Sequence, residues 1–156
     1  MRKLVFVGAS IVLVALAAVG IALAAAGAPS GAGVQPTEVA MAPANACVGG
    51  QKLDGSADGG PTGDLDSGTH TFWFDGFVGS ITITVRSTTA GKVFDFRTDD
   101  PSHLVTSMYV KGGPTANLYS YGMSGSSSDT GLHSPVNPRN GKYYGLSHIC
   151  VFTDKK

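Results

Sequence analysis

Short segments in which apolar and polar residues alternate dominate the chain from residue 70 onward. The clearest is 80–86, in which the apolar residues Ile81, Ile83 and Val85 alternate with polar ones. Because successive side chains of a β-strand point to opposite faces, this pattern predicts a half-buried strand. Residues 92–98 repeat the pattern, with two phenylalanines on one face.

The same pattern predicts the other strands at Val48–Leu53, His70–Phe77, Leu104–Lys111, Ala116–Tyr121 and Lys142–Thr153. Gly112 to Thr115 predicts a hairpin turn, Gly145 a bulge, and residues 122–141 a long loop. No segment outside the N-terminal region shows the periodicity of an amphipathic helix. Six or seven antiparallel strands at this spacing predict an all-β domain, a single two-layer sandwich.

The N-terminal region predicts export. Arg2 and Lys3 precede an uncharged apolar stretch that ends in small residues, as in a secretory signal. We assign 1–28 as a helical signal peptide or, since the stretch is long enough to span a bilayer, as an uncleaved membrane anchor. Residues 29–46 are rich in Pro, Gly and Ala and predict a flexible linker, and 47–156 form the domain.

Two cysteines, Cys47 and Cys150, lie near the two ends of the predicted domain. Outside the cytoplasm such a pair is normally oxidised. With only two cysteines, one disulfide is possible, and it would tie the first strand to the last. We expect the protein to be secreted or to lie on the extracellular face of the cell envelope.

Charge and composition limit the classes of partner that the protein is expected to bind. Removal of Arg2 and Lys3 with the signal leaves nine basic and eleven acidic residues, a net charge of −2. The chain has no basic patch, so nucleic acid is not an expected partner. Contact with a membrane is expected only through the N-terminal segment, if that segment is uncleaved.

The C-terminal half carries an ordered series of short motifs: Val93–Phe96, Val110–Pro114, Asn117–Tyr121, Asp129–Asn137 and Tyr143–Ile149. This series resembles a group of secreted or surface-attached β-domains of bacteria and archaea, which occur alone or beside adhesin-type, prealbumin-like or immunoglobulin-like modules. The resemblance implies an immunoglobulin- or prealbumin-like fold and a place at the cell surface. It implies no activity, and in the group the last cysteine tends to stand two residues later, at the position of Phe152.

Acidic residues between the first two predicted strands offer a weak metal site. Calcium binds six to eight oxygen ligands, which Asp/Gly loops can supply. The candidates are Asp54, Asp58, Asp64 and Asp66. Their spacing does not match an EF-hand, so we expect solvated turns, with calcium as the one possible cofactor.

Zinc and hydrolase sites are poorly supported. The four histidines, His70, His103, His133 and His148, show no pairing at i+2 or i+4, and a zinc site needs three or four converging ligands. A catalytic serine triad could be written from Ser147, His148 and Asp129. However, adjacent residues of a strand point to opposite faces, so Ser147 and His148 would not face each other. We therefore predict no catalytic residue and no enzyme activity.

Aromatic residues offer the remaining candidate surface. About half of them must be buried in a sandwich, and the others could stack on sugars or contact a partner. The aromatic set includes Phe72, Trp73, Phe74 and Tyr144; we predict surface binding through Tyr109, Tyr119, Tyr121 and Tyr143. The main expectation is an exported, non-enzymatic module that binds a protein or glycan at the cell surface or has a structural role. A secreted hydrolase of cell-wall or extracellular polymers and a calcium-stabilised adhesion module are the alternatives.

Overall fold

The computed structural model describes residues 27–40, 47–54, 65–73 and 79–155. Within these ranges the protein is all-β and contains no helix, as predicted. No described helix has the length and apolar character needed to cross a membrane. Residues 1–26 of the predicted export segment lie outside the described residues.

Eleven strands occur in the described part of the chain. They are β1 (Thr37–Ala40), β2 (Gln51–Leu53), β3 (Gly68–Trp73), β4 (Ser80–Thr88), β5 (Gly91–Thr98), β6 (His103–Gly112), β7 (Thr115–Ser120), β8 (Ser128–Leu132), β9 (Val136–Asn137), β10 (Lys142–Tyr143) and β11 (His148–Lys155).

The strands form two main antiparallel sheets. A five-stranded sheet has the order β1-β7-β6-β11-β2, and a four-stranded sheet has the order β3-β4-β5-β8. The short strands β9 and β10 pair with each other. Consecutive strands form the hairpins β4–β5 and β6–β7. The second has the turn that Gly112 to Thr115 predicts.

Side chains from both sheets contribute to one hydrophobic core. The predicted inward residues Ile81, Ile83 and Val85 of β4 are buried, as are Phe94 and Phe96 of β5. From the five-stranded sheet the core receives Val105, Met108, Val110, Tyr119, Ile149 and Val151. The alternation in the sequence therefore identified the buried face of the central strands correctly.

The loop predicted at 122–141 is partly ordered as strand. Residues 128–132 form β8, the edge of the four-stranded sheet, although a bulge interrupts their pairing with β5. Asp129 and Gly131 are residue types that strands disfavour, so the pairing with an open sheet edge decides the outcome. The last predicted strand is also divided. Its start, β10, pairs with β9, its end, β11, lies in the five-stranded sheet, and residues 144–147 between them contain the buried Leu146.

The linker prediction was wrong for residues 29–40. Thr37–Ala40 form β1 along the edge of β7, with Val39 opposite Ala116. Before β1, the half-buried Val34 packs against the core. An edge strand has unpaired backbone groups, and this segment satisfies them. Residues 41–46 lie outside the described part.

The predicted disulfide is present. Cys47 lies in the turn before β2 and bonds to Cys150 of β11, across a sequence separation of 103 residues and a Cα–Cα distance of 5.1 Å. Because β2 pairs with β11, the bond joins two neighbouring segments of the same sheet. A loop of this length corresponds to about 4 to 5 kcal/mol in the chain-entropy description of disulfides.

Candidate functional site

Tyr119 belongs to the core rather than to a binding surface. Its side chain is fully buried, and its hydroxyl donates to the backbone oxygen of His133 at 3.2 Å. The same hydroxyl accepts a hydrogen bond from the backbone nitrogen of His133 at 3.0 Å. Burial raises the pKa of Tyr119 well above its ordinary value. The prediction that Tyr119 faces a partner was therefore wrong, because β7 directs it into the core.

The other three predicted tyrosines are half-buried, and each packs on a neighbouring ring: Tyr109 on Phe152, Tyr121 on Phe96, and Tyr143 on His133. The hydroxyl of Tyr121 also donates to Asp129 at 2.8 Å. Each of these tyrosines thus has an aromatic neighbour within the chain, and the four do not form one exposed aromatic surface.

His133 is the centre of a buried polar network. Its side chain is 1% exposed and stacks on Tyr143, with ring centroids 3.8 Å apart. Asn117 donates from its side-chain amide to the backbone oxygen of His133 at 3.0 Å, and the ring of Tyr119 meets His133 edge-on. The network joins β7 to the segment that follows β8, so His133 has a structural role rather than that of a metal ligand.

Residues 27–36, here named the N-terminal strap, lie against this network. His133 Nε2 donates to the backbone oxygen of Ala28 at 2.9 Å. Asp129 accepts from the backbone nitrogen of Ala32 at 2.8 Å, and Gly31 donates to the backbone oxygen of Thr130 at 2.7 Å. The strap therefore has specific partners on β8 and on the residue after it.

The outward side of the four-stranded sheet has a different character. Thr69 and Thr71 of β3 stand opposite Thr84 and Thr82 of β4, and their hydroxyls lie 3.4 and 3.5 Å apart. Trp73 continues the alternation of β3 and is 70% exposed. We name the surface formed by these four threonines and Trp73 the threonine face.

An ion pair adjoins the threonine face. Arg86 Nη2 and Nε donate to the two oxygens of Asp95, at 2.7 and 3.2 Å. Partial burial alone would raise the pKa of Asp95, but hydrogen bonds from Arg86 and from the Gly131 backbone outweigh it and hold that pKa below its ordinary value. Asp95 is therefore ionised and fixed in position at neutral pH.

The threonine face leads into an open depression of about 380 Å³. It is lined by Thr82, Thr84, Asp95, Phe96, Arg97, Thr98 and Asp99. A hydrogen bond from the Ser80 backbone is the main reason that the pKa of Asp99 lies below its ordinary value. Arg97 is exposed, and among the described residues its guanidinium has neither an ion-pair nor a hydrogen-bond partner. The depression thus offers fixed carboxylates, hydroxyls and one available cation.

The calcium candidates are only partly described. Lys52 Nζ lies 2.8 Å from Asp54 Oδ2, and Lys92 Nζ lies 3.1 Å from Asp66 Oδ1. Each of these two carboxylates therefore has a cationic neighbour. Asp58 and Asp64 lie outside the described residues.

The histidines occupy separate environments. His70 contacts the backbone oxygen of Asp66, and His103 is buried beside Asp99. His148 instead lies with the two cysteines: one ring nitrogen of His148 and the sulfur atoms of Cys47 and Cys150 all lie within 4.8 Å of one another. The motif His148-Ile149-Cys150 signals this proximity in the sequence, since residues two apart on a strand share a face.

Burial lowers the pKa of His148, and the nearby charges of Lys52 and Lys111 lower it further. Asp129, the acidic residue of the triad written from the sequence, lies on β8 of the four-stranded sheet, whereas His148 lies on β11 of the five-stranded sheet. Asp129 accepts hydrogen bonds from Tyr121 and from the N-terminal strap. The structure therefore gives His148 and Asp129 separate partners, and it does not build the triad written from the sequence.

The threonine face, its depression and the Cys-His-Cys cluster are the features that internal packing does not account for. Trp73 is one of the aromatic candidates of the sequence, but the predicted binding residues are four tyrosines, and no motif in the sequence marks Arg97. Comparisons with known protein families, with curated proteins and with solved structures give no match. The surface itself is therefore the basis for a functional proposal.

Proposed function

We propose that the protein is an exported, non-enzymatic β-sandwich module that binds a glycan on its threonine face. The single observation that carries the proposal is Trp73, a large aromatic side chain that is 70% exposed. It lies on the face of the four-stranded sheet that also carries Thr82 and Thr84 of the polar depression. Isolated exposed apolar residues are common, but one next to convergent polar groups favours a binding surface. The disulfide is consistent with an extracellular location.

A glycan suits this chemistry better than an apolar ligand. The indole of Trp73 offers a flat surface for stacking, and the threonine hydroxyls, Asp95 and Arg97 offer acceptors and donors for sugar hydroxyls. Trp73 of β3 and Arg97 of β5 are separated by two strand spacings across the sheet and by two residues along the strands. At usual spacings their Cα atoms are therefore about 12 Å apart. A short oligosaccharide spans that distance, whereas a single sugar ring does not.

The depression favours binding over glycoside hydrolysis. A glycosidase commonly pairs an ionised carboxylate with a carboxylic acid whose raised pKa keeps it protonated. Asp95 and Asp99 both have lowered pKa values, so neither is suited to be the acid. The secreted hydrolase therefore has less support than the binding module.

The test is a glycan-array screen of the secreted, oxidised protein, followed by calorimetry with the best oligosaccharide. We expect Trp73→Ala to weaken binding at least tenfold, and Arg97→Ala to weaken it as well. Met123→Ala is the matched control, because Met123 is 97% exposed but lies outside the face. The absence of any bound glycan, or equal affinity of wild type and Trp73→Ala, would contradict the proposal.

A further inference from the structure

The cluster of Cys47, His148 and Cys150 contains the elements of a metal site. His148 and Cys150 share the same face of β11, and Cys47 reaches them from the turn before β2. The three ligand atoms lie within 4.8 Å of one another. Thiolate sulfur and imidazole nitrogen are the ligands that zinc and other thiophilic ions prefer.

We propose that reduction of the Cys47–Cys150 bond converts this cluster into a Cys₂His site for a thiophilic metal ion of the zinc class. A dithiol reductant supplies two electrons and two protons, which break the S–S bond and leave two thiols, while the reductant becomes a disulfide. Zn²⁺ then takes both sulfurs and the His148 nitrogen as ligands, and two protons are released from the thiols.

The required movement is small. With ordinary Zn–S and Zn–N bonds, the ligand atoms of a tetrahedral site lie about 3.5 to 3.8 Å apart. The two sulfurs must separate from bonding distance, which the Cα–Cα distance of 5.1 Å permits through side-chain rotation. The imidazole already lies within reach of both.

Exposure determines the kind of site. Cys150 is fully buried, whereas Cys47 and His148 are partly exposed. Three protein ligands leave the fourth position of a tetrahedral ion for water or an external ligand, an open rather than a closed arrangement. The oxidised protein has no free thiol, so its redox state controls access to the metal.

The test uses the full secreted protein, reduced with a phosphine, which makes no thiolate complexes, and titrated with Co²⁺ and then with Zn²⁺. We expect one equivalent of Co²⁺ to give thiolate-to-cobalt absorption, one equivalent of Zn²⁺ to displace it, and oxidised protein to give neither signal. His148→Ala should weaken Zn²⁺ binding by more than about tenfold, since loss of even an outer-shell partner costs about 10- to 100-fold. His70→Ala, a histidine of another strand, should leave binding unchanged.

The proposal is overturned if reduced wild type shows no thiolate-to-cobalt band, or if His148→Ala binds Zn²⁺ as tightly as wild type. If reduction unfolds the protein, one equivalent of Zn²⁺ must restore the circular dichroism of the oxidised form, because a ligand of the folded state stabilises it. An unchanged spectrum after zinc addition would equally overturn the proposal.

Discussion

The buried network around His133 and the threonine face around Trp73 both combine aromatic and polar side chains but use them differently. In the network, Tyr119, Tyr121 and Asp129 have their hydrogen bonds filled by neighbouring strands and by the N-terminal strap. On the threonine face Trp73 is open to solvent, and in the adjoining depression Arg97 has no ion-pair or hydrogen-bond partner among the described residues. The comparison teaches that residue type alone does not mark a binding site; what marks it is unused bonding capacity at an exposed position.

Removal of the Asp129 carboxylate should cause the largest loss of stability among the changes considered below. Asp129 is buried and accepts bonds from the Ala32 and Thr130 backbones and from Tyr121. Three lost bonds at about 1 kcal/mol each give Asp129→Ala a cost of about 3 kcal/mol, measured by urea unfolding. Amide exchange at Ala32 should also accelerate.

Asp66→Ala is the control for that prediction. Asp66 is 90% exposed and paired only with Lys92 among the described contacts, so its loss should change stability by less than about 0.5 kcal/mol. Equal costs for the Asp129 and Asp66 variants would show that the strap contacts do not stabilise the fold.

Tyr119→Phe tests one hydroxyl of the network. It leaves the backbone nitrogen of the buried His133 without its acceptor, so we expect a loss of about 2 kcal/mol in the free energy of unfolding. Tyr143→Phe is the matched change, since it keeps the ring that stacks on His133 and should cost less than about 0.5 kcal/mol. If both variants unfold at the same urea concentration, the hydroxyl of Tyr119 is not the important group.

Alkaline pH should weaken the network before it affects the threonine face. Burial and the bond to Asp129 raise the pKa of Tyr121, and burial raises that of Tyr119. A raised pKa in the folded state stabilises the protein below the unfolded pKa of about 10, and this stabilisation is lost as pH rises above it. Urea unfolding from pH 8 to pH 11 should show falling stability, with a smaller slope in Tyr121→Phe. An equal slope in the variant would exclude Tyr121 as the titrating group.

The smallest effect is expected beside the threonine face. Because the pKa of Asp95 is lowered in the folded protein, its contribution is present above the unfolded pKa of about 4 and is lost as pH falls through the folded value. Asp95→Asn should cost no more than about 1 kcal/mol at pH 7, as expected for a partly exposed ion pair. Unfolding at pH 7 and pH 3 should show a smaller difference in the variant than in wild type, and an unchanged difference would contradict the assignment.

Local patterns in the sequence were sufficient for the central strands. The alternation in β4 and β5 named the buried residues Ile81 and Phe94, and the cysteine count named the disulfide. The patterns failed at sheet edges. Residues 37–40 and 128–132 contain no strong strand signal, and they become strands because β7 and β5 offer them unpaired backbone groups.

The N-terminal strap shows the same limit. Composition predicted an export segment up to residue 28 and a linker from residue 29. The structure places Ala28 of the first in a hydrogen bond with His133 and Ala32 of the second in one with Asp129. A signal-peptide cut at the predicted boundary, directly after Ala28, would remove the acceptor of His133.

The sequence predicted that aromatic side chains would form a binding surface, but not which aromatic residues are exposed. A two-residue period assigns Thr71 and Trp73 to one face and Phe72 to the other, but both faces of β3 carry an aromatic side chain, so the period does not tell which face is buried. For the tyrosines, aromatic character did not distinguish a core position such as Tyr119 from a surface position.

By itself the sequence determined the all-β class, the inward-facing residues of its most regular strands and the one possible cysteine pair, because alternation and covalent chemistry act locally. The tertiary structure alone decided that Tyr119 and His133 are internal, that Trp73 is exposed, and that His148 lies beside the disulfide. Those outcomes depend on which sheet covers which face and on contacts between residues far apart in the chain.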